Sequence, residues 1–550
     1  MKSTAFKWTF LFAIAHIAVF GQQVIEGRVI DKETHQPVPF ASIGIVGTSK
    51  GTSSNLNGQF TLSVEFPFTL KISCVGYESQ TIQSTEDTLL IKLKPASIEL
   101  SEIVIFRKTI NPGRIVQRAF ANVIKNYSTQ PFLQKFFYRH YCKDDDEYGR
   151  LIEASVDVWK HRGYKSAQQI AGEKEEIRVT QLRRSLDNTV AAQGHEPIAI
   201  GNVLQADIVG YQIVEKGKQL SFYNTVSNLR ADFDRYNFSY DATTVYDGQE
   251  VYLIAYASKK DSIPTTSGYI DSPKITGLLY ITTDRYAIVK TEETKSDGPN
   301  VIRTSAYYRK TDDKYFPYHF IREGESRASD NSVHQYHIEL MSTEIRFGIE
   351  EKFVGKEPGK EELLRIPYDS GYWKTNTVLK TTPLEDKIIR DLGGGQSLNK
   401  QFYRYQQYEW STTDGGQNGE EKFKWLKDHS AGSKILLLVF WGNPCDLSCV
   451  VELEHAKRLQ RQFRKNLAVV MIALENDEAK WKQLVSKYNL FADGIINYRV
   501  DSHSEVKRLY TIKETPAYIL LNSSGDVHSE TLRPGNALLE NEIRVLIDQR

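Results

Sequence analysis

The ten residues from Phe440 to Cys449 constrain the fold of this chain more than any other stretch of its 550 residues. They follow a purely apolar run at 435–439 and precede an amphipathic stretch at 450–467. This pattern predicts a buried strand, a tight loop and a helix. Two of the four cysteines of the chain, Cys445 and Cys449, lie at the junction. Because the N-terminus of a helix stabilises a thiolate, the pattern indicates dithiol chemistry.

The rest of the C-terminal unit, 421–550, alternates between strand and helix patterns. Beyond the strand at 435–439 and the helix that follows it, the sequence predicts strands at 467–474, 495–500 and 517–521, and helices at 477–488, 505–510 and 538–550. A turn at 522–525 ends the last of these strands. Strands that alternate with helices and end in a hairpin predict an α/β fold of the thioredoxin-like kind.

Several residues of this unit resemble the TlpA/ResA branch of envelope thioredoxins. Trp441 follows Phe440 shortly before the first cysteine, Thr515-Pro516 precedes the penultimate strand, and Glu452 stands three residues after Cys449. The resemblance implies that Pro516 is the family's cis-proline and that Trp441 and Glu452 support the site. It also implies that Cys445 attacks a partner disulfide, that Cys449 resolves the mixed disulfide, and that the backbone of Thr515 faces the substrate chain.

The chain departs from this family in the spacing of its cysteines. Three residues, Asp446-Leu447-Ser448, separate them where the family has two. Four residues at helical rise span about 6 Å, within the distance that a disulfide tolerates, so the pair can still close. The carboxylate of Asp446 stabilises the helix but disfavours a nearby thiolate, which predicts a less acidic and slower Cys445.

Two other interpretations of the cysteine pair stay open at this point. The pair is a structural disulfide if the thioredoxin fold is redox-inert, and the protein is then a binding or scaffold protein of the envelope. A Cys-x-x-x-Cys loop also resembles Sco copper chaperones, which add a histidine near the cis-proline. Here 513–516 contains no histidine, and His503 lies about a dozen residues earlier. We therefore expect no metal and no cofactor.

The first residues predict export. Lys2 and Lys7 precede an apolar segment at 8–20, which is too short to span a bilayer, and small residues before Gln22 suit cleavage. We assign 1–22 to a signal peptide, with an uncleaved anchor as the alternative. No later run is apolar enough for a membrane helix. The mature protein is expected in the periplasm, or associated with the outer membrane, of a Gram-negative envelope.

Residues 23–105 predict a small β-sandwich. Short alternating strands are separated by turn signals, with a loop at 47–58 that is rich in Gly, Ser, Thr and Asn. Asn57-Gly58-Gln59-Phe60 and Val75-Gly76-Tyr77 resemble the carboxypeptidase-regulatory-like domain. That family is non-catalytic and occurs at the N-terminus of many secreted and outer-membrane proteins. The chain has no His-Glu-x-x-His sequence, so no zinc peptidase is implied.

The middle region, 106–395, predicts a helix near 115–126 followed by a large antiparallel meander. Its strands contain many tyrosines and are separated by glycine and aspartate turns. The polar stretch 165–193 predicts a solvated face or loop. The strand pattern loosely resembles LolA-type half-barrels, which implies a lipid or peptide ligand; the alternative is a structural sheet without a ligand.

The remaining features set limits. One glycine-rich segment at 393–395 precedes 396–420 and another at 415–419 lies near its end, so we assign 396–420 to a linker. A net charge of +1 provides no long-range field for nucleic acid. Cys74 and Cys142 are expected to be small apolar core residues, with a bridge between them as the minor alternative. The sequence thus predicts an exported, multidomain thiol-disulfide oxidoreductase whose partners are protein thiols and disulfides of the envelope.

Overall fold

The structure is a computed structural model of the whole chain. It describes residues 22–96, 111–401 and 435–548, apart from 146, 165–175, 186–197, 211–228, 231–232, 260–261, 266–267, 272–273, 328–330, 394, 399, 443–444, 489, 491–494, 501–503, 524, 530–536 and most of 349–367. The predicted signal peptide lies outside the described residues except for Gln22. Among the residues described, no helix is both long and apolar enough to cross a membrane.

The N-terminal region is a β-sandwich, as predicted. Its strands are β1 Gln23–Asp31, β2 Ser42–Ile45, β3 Gly51–Ser53, β4 Gln59–Val64, β5 Phe68–Ser73, β6 Gln80–Ser84 and β7 Thr88–Leu93. One sheet has the order β4-β1-β7 and the other β3-β2-β5-β6. Ile25, Ile43, Phe60 and Leu70 are fully buried between them. The alternating sequences of β1, β4, β5 and β7 supply most of this core from one face of each strand.

Two details of this domain differ from the sequence-based expectation. The segment 47–58, predicted as loop, contains β3, which pairs with β2. We did not expect a strand here because its side chains are small and polar. Thr52 and Ser53 are nevertheless buried, because they pack against another domain. Strand β6 was not predicted either. Gly58 has φ +73, as a turn at this position requires, and a Cβ there would lie 2.2 Å from the carbonyl oxygen of Val29.

The middle region begins with two short helices and forms a ten-stranded sheet. Its elements are α1 Pro112–Ala121, α2 Val123–Asn126, β8 Phe132–Asp144, β9 Glu147–Lys160, β10 Glu176–Arg184, α3 Ile200–Leu204, β11 Tyr236–Tyr246, β12 Gln249–Ser258, β13 Ser262–Thr265, β14 Gly268–Asp271, β15 Lys274–Thr282, β16 Ile288–Asp297, β17 Asn300–Thr311, β18 Lys314–Arg327, β19 Val333–Phe347, α4 Ser370–Thr375 and α5 Pro383–Gly393. The sheet order is β10-β9-β8-β19-β18-β17-β16-β15-β12-β11, with every pair antiparallel. The predicted meander is therefore confirmed, with its last strand, β19, paired to its first, β8.

Strand β10 corrects the expectation for part of 165–193, which was a solvated face or a loop; 165–175 and 186–193 lie outside the described residues. It pairs with β9 as the edge of the sheet. Its charged residues are neutralised by acids on β9, because Arg178 reaches Asp157 at 2.8 Å and Arg183 reaches the carboxylate of Glu153. Charged side chains are common on edge strands, where they discourage pairing with another chain. A polar composition therefore did not exclude a strand here.

Other parts of the same chain cover part of each face of the large sheet within the described residues. On one face α1, α2 and α3 pack on an apolar core that includes Phe136, Phe320 and Leu340. On the other face β3 and α5 pack on β18, β19 and β9. A lipid or peptide ligand of this region stays a prediction, because neither the described residues nor the comparisons below test it.

The second face contains a row of buried charges. Arg139 on β8 is fully buried, with its guanidinium 2.8 Å from Glu153, 3.4 Å from Glu339 and 3.2 Å from Glu385 of α5. It also donates to the carbonyl oxygens of Leu379 and Lys380. His319 links Glu339 at 3.2 Å to Ser53 of the N-terminal domain at 3.0 Å. This row therefore connects the sheet to two other parts of the chain.

The C-terminal region has the predicted α/β order. Its elements are β20 Ile435–Gly442, α6 Leu447–Gln462, β21 Leu467–Leu474, α7 Glu478–Lys487, β22 Ile495–Val500, α8 Glu505–Leu509, β23 Ala517–Leu521, β24 Val527–Ser529 and α9 Ala537–Asp548. The sheet order is β22-β21-β20-β23-β24. Strands β20, β21 and β22 are parallel, and β23 runs antiparallel to β20. Apolar cores on both faces explain why β20 is apolar throughout.

The start of the predicted linker packs on the middle region. Leu398 is buried with Leu151 and Ile388, and the amide of Gln401 donates to the carbonyl oxygens of Ile389 and Gln396 at 2.5 and 2.8 Å. The rest of the linker and the short helix expected at 421–429 lie outside the described residues. The domain boundaries themselves stay predictions.

Candidate functional site

The cysteine pair lies where β20 ends and α6 begins. Asp446 is the N-cap of α6, and its carboxylate accepts the backbone N–H of Cys449 at 2.9 Å. This is the usual role of an aspartate at a helix start, and it satisfies one of the free N–H groups of the first turn. Because the capping residue falls between the cysteines, the extra residue of the spacing is accommodated by the cap itself.

Cys445 and Cys449 form a disulfide with a Cα–Cα distance of 5.3 Å. The closure expected from the spacing is therefore present in the structure. The two cysteines differ in burial, since Cys445 is half-buried, whereas Cys449 is only 3% exposed and belongs to the core under α6. Cys445 is therefore the more accessible of the two cysteines.

Thr515 and Pro516 lie at the same end of the sheet as the disulfide. The peptide bond between them is cis, as the resemblance implied. Strand β23 starts directly after Pro516, with Ala517 paired to Phe440 at the end of β20. A Cβ placed on Gly442 would lie 3.6 Å from Oγ1 of Thr515. The fold thus brings together two motifs that are about seventy residues apart in the sequence.

The two predicted supporting residues are placed differently. Trp441 is fully buried at the end of β20, and its indole N–H has no hydrogen-bond partner among the described residues. Glu452 is half-buried on α6, one turn after Cys449. The roles of Thr515, Pro516, Trp441 and Glu452 stay predictions, because no observation tests their chemistry.

Sequence reasoning missed one residue that contacts the site. Tyr488, just after α7, donates a hydrogen bond from its hydroxyl to the carbonyl oxygen of Cys445 at 3.4 Å. Its ring meets that of Trp441 edge to face, with centroids 5.9 Å apart and planes at 85°. The available signal was the spacing Trp481, Leu484, Val485, Tyr488, which puts all four on one face of a helix.

The other two cysteines are not part of a disulfide. Cys142 is buried in the middle sheet, as expected for a small core residue. Cys74 lies in the N-terminal domain with its Sγ 3.9 Å from the carbonyl oxygen of Pro39, and burial raises its pKa to about 11. The minor alternative of a Cys74–Cys142 bridge is therefore wrong for this structure. Neither thiol is part of the site.

The described residues contain no group of three or more His, Cys, Asp or Glu side chains suited to a metal ion. His503, considered for the copper interpretation, lies outside them. The donors at the site itself are two bonded sulfurs and the capping carboxylate of Asp446. The chemistry that these donors allow is exchange of the disulfide with an external thiol.

Comparison with known families assigns the two ends of the chain. A thioredoxin-like family model matches residues 432–527. The C-terminal region is a thioredoxin-like domain. A CarboxypepD_reg-like domain model matches residues 25–105, so the N-terminal region is a carboxypeptidase-regulatory-like domain. No curated protein matches the chain.

Two solved structures that are similar to the thioredoxin-like domain come from Bacteroides species. The C-terminal domain of a proposed thiol-disulfide oxidoreductase from Bacteroides thetaiotaomicron is 23% identical, covers 23% of this chain and 84% of its own, and has a TM-score of 0.21. A thiol-disulfide oxidoreductase from Bacteroides fragilis is 28% identical over 20% of this chain and 81% of its own, with a TM-score of 0.18. At such TM-scores these similarities carry no weight for function.

Proposed function

We propose that this protein is a thiol-disulfide oxidoreductase that exchanges disulfides with partner proteins through Cys445 and Cys449. The observation that carries the proposal is the unequal access of the two bonded sulfurs. The half-buried Cys445 precedes the helix start, and Cys449 is buried in its first turn. A structural disulfide gains nothing from this asymmetry, whereas an exchanging pair needs one accessible and one protected sulfur.

The reaction runs in two steps when the protein acts as reductant. The thiolate of Cys445 attacks one sulfur of the partner disulfide, forms a mixed disulfide and releases the partner's other sulfur as a thiolate that takes up a proton. Cys449 then loses its proton and attacks Sγ of Cys445. The disulfide of this protein re-forms, and the partner leaves as a dithiol with two electrons and two protons gained. Oxidation of a partner dithiol is the same sequence reversed.

Thr515 and Pro516 contribute the surface on which the partner chain lies. Proline has no N–H group, so the backbone next to the disulfide remains open at that position. The side chain of Thr515 lies beside Gly442 at the end of β20. In this proposal Cys445 and Cys449 are the reacting residues, and Thr515 and Pro516 bind the partner backbone.

The test combines two cysteine variants of the full chain with insulin as a model disulfide substrate. Cys445→Ser should abolish exchange with the fold intact, and Cys449→Ser should accumulate a mixed disulfide with the substrate. Cys74→Ser is the matched control and should exchange like the wild type. If Cys445→Ser retained exchange, the assignment of roles would be wrong.

Equilibration with thiol buffers separates this function from the scaffold alternative. An exchanging pair has a reduction potential above roughly −300 mV, within reach of biological thiols. A pair that stays oxidised at potentials well below this value is a structural disulfide, and the protein is then a binding or scaffold protein.

We also propose that this exchange takes place in the cell envelope. The basic and apolar segment within 1–22 has the pattern of a signal peptide, and stable disulfides belong to compartments outside the cytosol. Mass spectrometry of the protein from its native cells should find an N-terminus at Gln22 or Gln23. Intact Met1 on the envelope-located protein would instead indicate an uncleaved anchor.

A further inference from the structure

Tyr488 reaches the cysteine loop because of how α7 packs. Trp481, Leu484 and Val485 are buried in the core beneath the sheet. Tyr488 follows at the same helical spacing, and its backbone N–H still donates to the carbonyl of Leu484 at 3.0 Å. The helix therefore turns the tyrosine ring toward the end of β20.

Two contacts of this side chain converge on the loop. The hydroxyl donates to the carbonyl oxygen of Cys445 at 3.4 Å, and the ring packs edge to face on Trp441. Trp441 is fully buried. The ring of Tyr488 thus packs on a buried indole, and its hydroxyl binds the peptide group that joins Cys445 to Asp446.

We propose that Tyr488 is a positioning residue of the redox site, which holds the carbonyl of Cys445 and favours the thiolate of that residue. This inference rests on the proposed function. A peptide carbonyl has its negative end at the oxygen, and here that oxygen belongs to the same residue as Sγ. A hydroxyl proton on the oxygen offsets part of the negative charge, so a thiolate on Cys445 is repelled less.

Tyr488 and Asp446 then have opposite effects on the acidity of Cys445. The carboxylate of Asp446 occupies the N–H of Cys449 and adds negative charge next to Cys445. The hydroxyl of Tyr488 withdraws negative charge from the carbonyl of Cys445. The acidity of Cys445 is set by the balance between them, and the second member of this pair comes from α7 and not from the cysteine loop.

The experiment measures the pH dependence of Cys445 alkylation in the fully reduced, full-length protein. Iodoacetamide reacts with thiolates, and mass spectrometry of the Cys445 peptide separates this site from the other three cysteines. The test variant is Tyr488→Phe, which keeps the ring on Trp441 and removes the hydroxyl. The matched control is Tyr498→Phe, which makes the same chemical change on the edge strand β22.

Tyr488→Phe should move the midpoint of the Cys445 profile upward by about half a pH unit, the scale of one neutral hydrogen bond. Tyr498→Phe should leave it in place, and the thermal midpoint of both variants should stay that of the wild type. Superimposed profiles, or a downward shift in Tyr488→Phe, would overturn the inference. Failure of the reduced wild type to exchange with insulin would refute the proposed function alone, since the alkylation profile does not depend on exchange.

Discussion

At the scale of single residues, the site combines a helix cap and a disulfide in five positions. Asp446 must accept an N–H from the first turn for α6 to start, and the N–H that it accepts belongs to Cys449. The same carboxylate places a negative charge next to Cys445. The residue that stabilises the helix therefore disfavours a thiolate on its neighbour.

Replacing Asp446 by Asn should make Cys445 more acidic and faster in exchange. Asparagine caps a helix as well as aspartate does, so the stability of the domain should hold, while the negative charge is removed. The pH profile of Cys445 alkylation in the reduced protein should shift downward. Asp446→Ala is the control for the cap, and it should cost about 1 kcal/mol of stability. An unchanged profile in Asp446→Asn would show that the carboxylate does not govern the thiol.

His337 on β19 predicts a pH dependence of folding. Burial disfavours the charged ring, but Glu323 at 2.9 Å and Glu339 at 3.9 Å outweigh it and raise the pKa of His337 to about 10. A histidine with a raised pKa stabilises the fold fully below its unfolded pKa of about 6.5, and the contribution is lost as the pH rises through 10.

His337→Gln should therefore lower the thermal midpoint much more at pH 6 than at pH 10.5. The measurement is thermal unfolding of variant and wild type across that window. His161→Gln is the control, because His161 is 41% exposed beside Glu176 and its loss should matter little. Parallel curves for His337→Gln and the wild type would contradict the prediction.

The residues found from the sequence share one property, which is that each belongs to a short motif. Local patterns of strand, loop and turn residues identified four of them, namely Cys445, Cys449, Thr515 and Pro516. Tyr488 was missed because its partner is 43 positions away, and only the packing of α7 brings the two together. Contacts of this kind depend on tertiary structure and leave only a helical spacing in the sequence.

At the scale of elements, the sequence predicts a strand well when one of its faces is apolar. It fails for strands whose buried side chains are polar or charged. Strands β21, β22 and β23 were predicted with their observed bounds because their residues are buried on an apolar core. Strands β3 and β10 were missed because their side chains are small or charged. Their burial depends on another domain or on charges of a neighbouring strand.

The buried row around Arg139 ties β8, β9, β19 and α5 together, and it gives a sharp prediction at this scale. Arg139→Met should destabilise the chain by about 3–5 kcal/mol, because it removes the buried cation that Glu153, Glu339 and Glu385 share. Glu153 keeps its pair with Arg183 and Glu339 its pair with His337, so Glu385 is affected most. Denaturant unfolding of the full chain, followed by tyrosine and tryptophan fluorescence, measures the change.

The matched control for this prediction is Arg285→Met. Arg285 pairs with Asp313 at 2.7 Å and both side chains are exposed, so the loss should be far smaller than that of Arg139→Met. Equal losses in the two variants would mean that burial does not set the strength of these ion pairs, and the structural role given to Arg139 would fail.

At the scale of the whole molecule, the two ends of α6 make different contacts. Its N-terminus holds the disulfide, and its second half contacts the middle region, where Arg461 lies 3.2 Å from Asp144 and Arg458 donates to Ser332 at 3.1 Å. The helix has 16 residues and is thus about 24 Å long. The thioredoxin-like domain is therefore anchored by the part of α6 that is remote from the chemistry, and the disulfide stays accessible to a partner.

This separation predicts that the anchor can be weakened without changing the redox site. Arg461 also lies 3.7 Å from Glu147, so Arg461→Ala removes the cation that Asp144 and Glu147 share at the end of the β8–β9 hairpin. Hydrogen exchange in that hairpin and in the second half of α6 should increase, because the two regions are no longer held together. The alkylation profile of Cys445 should remain that of the wild type.

Lys480→Ala is the control for this variant, since Lys480 pairs with Glu475 inside the thioredoxin-like domain and should leave the hairpin protected. The informative contradiction is a shift of the Cys445 profile in Arg461→Ala. It would mean that the contact with the middle region is transmitted along α6 to the cysteine loop, and that the middle region regulates the exchange instead of merely holding the domain. An unchanged hairpin in Arg461→Ala would instead show that the interface depends on other contacts than this cation.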